Sequence, residues 1–265
     1  ADVVGALPKE FDKRYWDVRV IMPYYSCICE EFTDEFEYIG QFYIGCGPEI
    51  QNKYVGVFRY EYQGIIYYFI DNREYFFQNY IYSDFYFDIK RFTFFDKAVL
   101  SVLPLIDFKP DLIHCHDWQT GLIPVYLKTE FASSEFYQGI KTMMTIHNLR
   151  FQGMWSKKYL MSVTGFPMEL FSNDKLGLYE DGNMLKGGLT YADYITTVSQ
   201  NYAQEIQTAY YGEQLDGLLY ARRMDTKGIV NGIDYEVFNP VTDPYVEKTY
   251  SVEDFRKKKV YDKLA

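Results

Sequence analysis

Short apolar segments alternate with longer stretches of helical spacing along most of the chain, and this alternation constrains the fold most strongly. Apolar residues recur at helical intervals between Phe92 and Leu103 and again over residues 120–129. A third helix is predicted to begin at Ser199, whose hydroxyl suits an N-cap. Strands separated by helices of this length need right-handed crossovers, so the sequence predicts an α/β fold with a mostly parallel, doubly wound sheet. The predicted strands are residues 18–22, 112–115, 141–146, 194–198 and 227–230.

Residues 30–90 depart from this alternation and hold much of the chain's aromatic content, which totals 28 Tyr, 21 Phe and 3 Trp. Two predicted strands, residues 54–60 and 65–70, flank a Gln63-Gly64 turn, which predicts an antiparallel β-hairpin inserted into the parallel fold. Beyond Val241 the sequence becomes charged and loses its periodicity, as is typical of a linker. We therefore expect one domain over residues 1–240 and the start of a linker over residues 241–265.

The charge balance argues against a protein that binds polyanions. The chain has 27 Lys and Arg against 37 Asp and Glu, which gives a net charge of −10. Phosphate contacts need clustered cations, and the one basic run, residues 256–259, is preceded by Glu253 and Asp254. The longest apolar stretch, residues 98–106, is far shorter than the roughly 20 residues of a membrane span. We therefore expect no nucleic-acid partner and no membrane partner.

Cysteine usage and the first residues of the chain indicate a cytoplasmic protein. Four cysteines in a chain of this length do not form the dense framework of a secreted disulfide-rich domain. Asp2, Lys9 and Glu10 interrupt the first apolar run, so no signal peptide is predicted. Free thiols in a reducing compartment are expected for Cys27, Cys29, Cys46 and Cys115.

All three histidines of the chain lie where two predicted strands end. In open parallel sheets the ligand crevice lies beyond the carboxyl ends of the strands, so we expect these residues to lie close together. The two segments are His114-Cys115-His116-Asp117-Trp118 and His147-Asn148.

Three interpretations of these segments stay open from the residues alone. The two histidines of the first segment, with its aspartate, have the chemistry of metal ligands. Alternatively, the histidines satisfy buried backbone groups at the sheet edge. The third interpretation is a polar ligand site, because pockets combine apolar walls with a few convergent polar groups. In that site Asp117 accepts hydrogen bonds from hydroxyls, Trp118 supplies an apolar face, and His147 and Asn148 donate.

Seven longer stretches form an ordered pattern. They are ADVVGALPK (1–9), DVRVIMP (17–23), FIDNREYF (69–76), HCHDWQTGLIPVYLK (114–128), TIHNLRFQGMW (145–155), NMLKGGLTYADYITTVSQNYAQEI (183–206) and GIVNGIDYEVFNP (228–240). In this order they resemble the bacterial glycogen synthases and plant starch synthases, the ADP-glucose:α-1,4-glucan glucosyltransferases. The resemblance implies a GT-B architecture of two facing Rossmann-like domains, with this chain as the N-terminal, acceptor-side domain.

The resemblance also implies the reaction. Members of this family transfer glucose from ADP-glucose to the non-reducing-end 4-hydroxyl of an α-1,4-glucan such as glycogen or a maltooligosaccharide. The anomeric configuration is retained, and no metal or other cofactor takes part. His147 corresponds to the histidine that contacts the donor glucose near the reacting centre, and Asp117 to a second residue of the catalytic cleft. The implied substrate-binding residues are Asp2, Trp118, Asn148, Tyr75 and Phe76, the last two as an aromatic patch at the mouth of the cleft.

The chain departs from the family pattern at both ends. It begins directly after the position of the family's Lys-x-Gly-Gly-Leu loop, and it stops after the predicted linker. We therefore expect a fragment of a glycogen synthase that is inactive alone. Two alternatives stay open, a non-catalytic glucan-binding domain and another GT-B glucosyltransferase that uses UDP-glucose.

Overall fold

The computed structural model of the protein describes residues 2–28, 30–78 and 80–254. Cys29 and the basic run at residues 256–259 therefore lie outside the described residues. The chain divides into two compact units, the described parts of residues 1–11 and 231–265 in one and residues 12–230 in the other. The predicted domain boundary at residue 240 stays a prediction. Among the described residues, no helix combines the length and the apolar character needed to cross a bilayer.

Eleven strands and nine helices make up the regular structure of the described residues. The strands are β1 (Arg19–Pro23), β2 (Glu37–Ile44), β3 (Lys53–Tyr62), β4 (Ile65–Asp71), β5 (Leu112–His116), β6 (Lys141–Ile146), β7 (Met154–Ser156), β8 (Gly177–Leu178), β9 (Asp181–Asn183), β10 (Tyr194–Thr197) and β11 (Thr226–Gly228). The helices are α1 (Asp2–Ala6), α2 (Glu30–Thr33), α3 (Arg73–Phe76), α4 (Phe85–Val102), α5 (Ile123–Lys128), α6 (Lys157–Thr164), α7 (Met184–Tyr191), α8 (Gln200–Glu205) and α9 (Asp216–Ala221).

In the smaller unit, helix α1 is followed by a 3-10 turn over Leu7–Glu10. The ammonium group of Lys9 lies 2.6 Å from the carboxylate of Asp234, which connects the two stretches of chain that make up this unit.

A parallel sheet of four strands, in the order β11-β10-β6-β5, confirms the predicted α/β alternation. The strand predicted over residues 141–146 has the predicted bounds, and the other three differ by one or two residues at their ends. The helix predicted over residues 120–129 is shorter, because the chain first makes a 3-10 turn over Trp118–Thr120 and α5 begins only at Ile123. Pro124 lies in the first turn of α5, where its missing N–H is tolerated.

A second sheet, in the order β1-β4-β3-β2, holds the aromatic region. The predicted hairpin is confirmed as β3 and β4, and its two-residue turn has positive φ at Gln63 (50°) and at Gly64 (72°). Positive φ at both positions is the mark of a type I′ turn. Strand β2 pairs antiparallel with β3 and was not predicted, and the small β7-β9-β8 sheet was also not predicted.

Helix α4 connects the two larger sheets through the core. It begins after Asp84, whose carboxylate accepts a hydrogen bond from the N–H of Phe87 at 3.0 Å. The predicted apolar face from Phe92 to Leu103 is buried as expected, and the helix contacts β4, α5 and α6. One continuous cluster of buried side chains includes residues of α4 and of both sheets. The same helix therefore supports the strand ends that carry the histidines.

Candidate active site

Asp117 joins the two loops that leave the parallel sheet at β5 and β6. Its Oδ1 accepts hydrogen bonds from the backbone N–H of His147 at 2.8 Å and of Asn148 at 3.4 Å. Strands β5 and β6 pair in parallel, with His116 opposite Thr145, so both loops begin at the same edge of the sheet. Burial raises the pKa of Asp117, while the N–H groups of His147 and Asn148 act in the opposite direction.

The backbone of Asp117 is strained. Its φ of 55° and ψ of −168° fall in a region that is populated almost only by glycine. Such conformations cost of order 1–3 kcal/mol and persist where the surrounding structure enforces them. Here the neighbours enforce it, because the Asp117 N–H donates to the carbonyl of Thr145 at 3.0 Å and the carboxylate bonds to the next loop. The strain fixes the direction of the carboxylate.

His116 and His147 are in direct contact. Nδ1 of His116 lies 2.9 Å from Nε2 of His147, and the two rings are stacked with centroids 5.2 Å apart. Burial, reinforced by the neighbouring histidines, lowers the pKa of His116 to about 3. At neutral pH His116 is therefore uncharged, so one ring nitrogen of the pair donates and the other accepts. This contact fixes the orientation of the His147 ring.

His114 is half-buried and forms its contacts within the sheet. Because it lies two residues from His116 on β5, both rings are on the same face of the strand, with centroids 4.2 Å apart. Its Nε2 lies 2.6 Å from the hydroxyl of Thr145, which in turn lies 2.6 Å from the hydroxyl of Thr196 on β10. Burial lowers the pKa of His114 to about 4. His114 thus satisfies buried hydroxyls, as the structural interpretation expects, while His116 and His147 face each other.

The metal interpretation finds no ligand set in the part of the chain that the structure describes. Within residues 2–28, 30–78 and 80–254, no three or more His, Cys, Asp and Glu side chains are grouped so that they could hold a metal ion.

Asn148 is exposed next to His147, and its Oδ1 accepts a hydrogen bond from the N–H of Arg150 at 3.1 Å.

The structure corrects the position of Trp118. Its side chain is 3 % exposed and packs against Phe85 and Phe92, with ring centroids 5.4 and 5.3 Å away. Gly153, with φ of 63°, lies against the same ring, since a Cβ at this position would come within 2.5 Å of it. The face of the Trp118 ring that was expected to contact a ligand is therefore covered by other side chains. Trp118 packs in the core directly after Asp117 in the chain.

Tyr75 and Phe76 are also core residues, which corrects the expected aromatic patch. Both are 0 % exposed in α3, a single helical turn capped by the side chain of Asn72. The exposed rings nearby are instead Phe77 and Tyr80. Asp2 begins α1 in the other unit, and its side chain lies outside the described part of the structure. Its substrate-binding role stays a prediction.

Comparison with known proteins identifies the family of the chain. A family profile described as the starch synthase catalytic domain matches residues 1–221. The chain belongs to this family. Among curated starch synthase relatives, glycogen synthases of Lachnospira eligens and Lachnoclostridium phytofermentans are 54 % and 52 % identical to it over 265 residues. These matches cover 100 % of this chain and 55 % of each relative.

A solved structure extends the starch synthase likeness to three dimensions. The catalytic domain of starch synthase IV from Arabidopsis thaliana, bound to ADP and acarbose, superimposes with a TM-score of 0.84 at 27 % identity. The match covers 99 % of this chain and 54 % of that chain. The α/β fold with its parallel sheet is therefore that of a starch synthase GT-B catalytic domain, and the chain spans about half the length of these relatives.

Proposed function

We propose that this chain is the acceptor-side half of a glycogen synthase. In the full-length protein, glucose is transferred from ADP-glucose to the non-reducing-end 4-hydroxyl of an α-1,4-glucan, with retention of configuration. The relatives named glycogen synthase support the reaction, and the neighbour bound to ADP and acarbose supports a nucleotide and a glucan as ligands. The observation that carries the proposal is the junction of Asp117 with His147 at the carboxyl edge of the parallel sheet.

In this proposal His147 orients the donor sugar and does not attack it. Among the described residues, the only hydrogen-bond partner of the His147 ring is His116, at Nε2. Nδ1 is then the atom left to meet a sugar hydroxyl. An imidazole held in one orientation positions the glucose and stabilises developing charge at low reorganisation cost.

Asp117 supplies the complementary acceptor. Its Oδ1 is occupied by backbone N–H groups, whereas Oδ2 has no hydrogen-bond partner among the described residues. That oxygen accepts a hydrogen bond from a sugar hydroxyl. The bond from C1 of glucose to the diphosphate breaks, the bond from C1 to the acceptor O4 forms, and the O4 proton passes to the departing diphosphate. This exchange of bonds and this proton transfer need neither a metal nor a protein nucleophile.

We also assign the protein to the cytoplasm. Cys27, Cys46 and Cys115 are free thiols, as expected in a reducing compartment.

The assay for this proposal compares the isolated chain with the full-length protein. The chain alone, given ADP-glucose and glycogen, is expected to release no ADP, whereas the full-length protein turns over. Robust ADP release by the chain alone would contradict the assignment as one half of the enzyme. The same assay with UDP-glucose tests the alternative donor. A full-length protein that binds maltooligosaccharides but uses neither donor would favour the alternative of a non-catalytic glucan-binding domain.

A further inference from the structure

A pocket of about 270 Å³ lies beside the loop that follows His147. Five segments contribute to it, namely the start of α4, the loop after β6, the start of strand β7, strand β8 and the loop before α9. Its volume lies just below the roughly 300–1,000 Å³ of pockets that enclose whole small ligands, so it suits one part of a longer ligand. The lining residues that matter to its chemistry are Phe85, Arg150, Phe151, Gln152, Glu213 and Gln214.

The side chain of Gln152 connects the walls of this pocket. Its amide nitrogen donates to the carbonyls of Leu149 and Glu213, both at 3.0 Å. Its amide oxygen accepts from the side chain of Asn183 at 2.5 Å. One side chain thus joins the loop after β6 to a loop 61 residues further along the chain. The pocket is therefore held in shape by specific hydrogen bonds.

The far wall has unusual backbone geometry. Glu213 and Gln214 are consecutive non-glycine residues with positive φ, 46° and 69°. L-residues visit this left-handed region rarely and as single residues. Backbone strain of this kind is found at ligand clamps as well as at active sites. Both of these residues line the pocket.

The lining combines opposite charges with apolar rings. Arg150 and Glu213 both line the pocket, yet neither side chain forms an ion pair within the described ranges. An anionic ligand would meet the Glu213 carboxylate, and a cationic ligand would meet the Arg150 guanidinium. A neutral ligand with many hydroxyls satisfies both, because hydroxyls donate to carboxylates and accept from guanidinium groups. The rings of Phe85 and Phe151 suit the apolar face of a pyranose.

The pocket adjoins the candidate active site on two sides. Phe85 packs against Trp118, the residue after Asp117, at 5.4 Å between ring centroids. The backbone N–H of Arg150 is bonded to the side chain of Asn148, the residue after His147. A sugar ring in the pocket would therefore belong to a chain that reaches the reacting end at Asp117 and His147.

We propose that this pocket is a subsite for one glucose unit of the α-glucan acceptor, behind the unit that reacts. The inference rests on the proposed function for the identity of the glucan. The opposite charges of Arg150 and Glu213 in the lining favour an uncharged sugar over the diphosphate of the donor. Binding energy from a remote sugar then holds the acceptor in place for transfer.

The first experiment measures binding of maltoheptaose to this chain by titration calorimetry or NMR. Phe151→Ala is expected to weaken the affinity about tenfold, and Arg150→Gln to weaken it by a smaller factor. Tyr43→Ala is the matched control, because Tyr43 is 56 % exposed and Phe151 is 58 % exposed. Equal affinities of the Phe151→Ala and Tyr43→Ala variants, or no binding by the unmodified chain at millimolar maltoheptaose, would overturn the subsite.

The second experiment separates this inference from the proposed function. In the full-length protein, Phe151→Ala is expected to raise KM for maltoheptaose about tenfold and KM for ADP-glucose less than twofold. His147→Ala is expected to act on kcat instead. If His147→Ala has no effect on kcat while Phe151→Ala still weakens glucan binding, the catalytic proposal fails and the subsite stands. The reverse pattern removes the subsite alone.

Discussion

Two groups of buried or half-buried ionisable side chains lie within residues 12–230. They differ in whether they reach solvent or are enclosed in the core. The first is the histidine cluster, defined as His114, His116 and His147. The second is the α4 cluster, defined as Asp88, Arg91 and Asp96, all of them on one helix. Burial shifts pKa values in both, lowering those of His114 and His116 and raising those of Asp88 and Asp96.

The α4 cluster is closed off in the core. Arg91 is 0 % exposed, its guanidinium lies 2.7 Å from Asp88, and it also donates to the carbonyl of Ile81. One oxygen of Asp96 accepts from the N–H of Leu122 at 2.8 Å. The histidine cluster, by contrast, ends at half-buried His147 and exposed Asn148. A shifted pKa therefore marks a functional site only where the group also meets solvent or substrate.

The largest effect should come from the outer end of the histidine cluster. In the full-length protein, His147→Ala is expected to lower kcat by about 10²–10³-fold, the range seen when a positioned hydrogen-bond donor to the transition state is removed. Glucan affinity should change only modestly, and circular dichroism should show an unchanged fold. A kcat equal to that of the unmodified protein would remove His147 from the mechanism and leave the two clusters functionally alike.

Substitutions in the α4 cluster should lower the stability of the folded protein. Arg91→Met leaves the Asp88 carboxylate buried without its partner, so the free energy of unfolding is expected to fall by about 3–5 kcal/mol in urea titrations. Arg14→Met is the control, because its pair with Asp12 is exposed to solvent and should change the free energy of unfolding little.

The double variant Asp88→Leu/Arg91→Met tests the cause of that loss. Replacing both charges by apolar groups removes the unpaired carboxylate, so most of the lost stability should return. A double variant as unstable as Arg91→Met would show that packing around Arg91 matters more than its charge.

Asp96 predicts a pH dependence of stability. Burial raises its pKa in the folded protein, so the folded state holds a proton that the unfolded state releases above about pH 4. Stability from this group is present below that pH and is lost as pH rises toward the folded pKa, by up to about 1.4 kcal/mol per pH unit. Asp96→Asn cannot ionise and should flatten this slope in melts between pH 4 and 8. An unchanged slope would exclude Asp96 as its source.

The smallest effect should come from the middle of the histidine cluster. His116 acts as a positioning residue, and a hydrogen bond worth about 1 kcal/mol corresponds to roughly a fivefold lower kcat in His116→Ala. His116→Asn retains a polar group near Nδ1 and should recover part of the loss, with KM for glucan little changed. Equal kcat values for the two variants would limit His116 to a packing role.

The sequence predicted the parallel sheet better than its surroundings. Met143, Met144 and Ile146 give β6 a short apolar segment, and four of its six residues are buried, as is typical of a central parallel strand. Strand β2 lacks that signal, because its pairing is interrupted between Tyr38 and Gly40 and its burial does not alternate. Strands as short as β8 and β9 carry too few residues for any periodicity.

The sequence predicted that the two strand-end segments meet, and it predicted the packing around them less well. The two-residue spacing placed His114 and His116 on one face, but the contact of His116 with His147 depends on the register of His116 opposite Thr145. Trp118 and Tyr75 were expected to be accessible. Their burial depends on α4, which is distant in sequence and fills the space beside both rings. Local patterns do not contain that information.

The backbone conformation of Asp117 reverses the usual preference for alanine over glycine at this position. At most positions alanine is favoured over glycine, because glycine leaves the unfolded chain more freedom. At 117 the backbone angles suit glycine alone, so alanine keeps the strain after the carboxylate is gone and glycine releases it. A mutational scan of folded abundance should therefore rank glycine above alanine at this position, while a scan for polymer synthesis should accept neither. Such disagreement between two scans at one position would identify it as a residue retained for its chemistry.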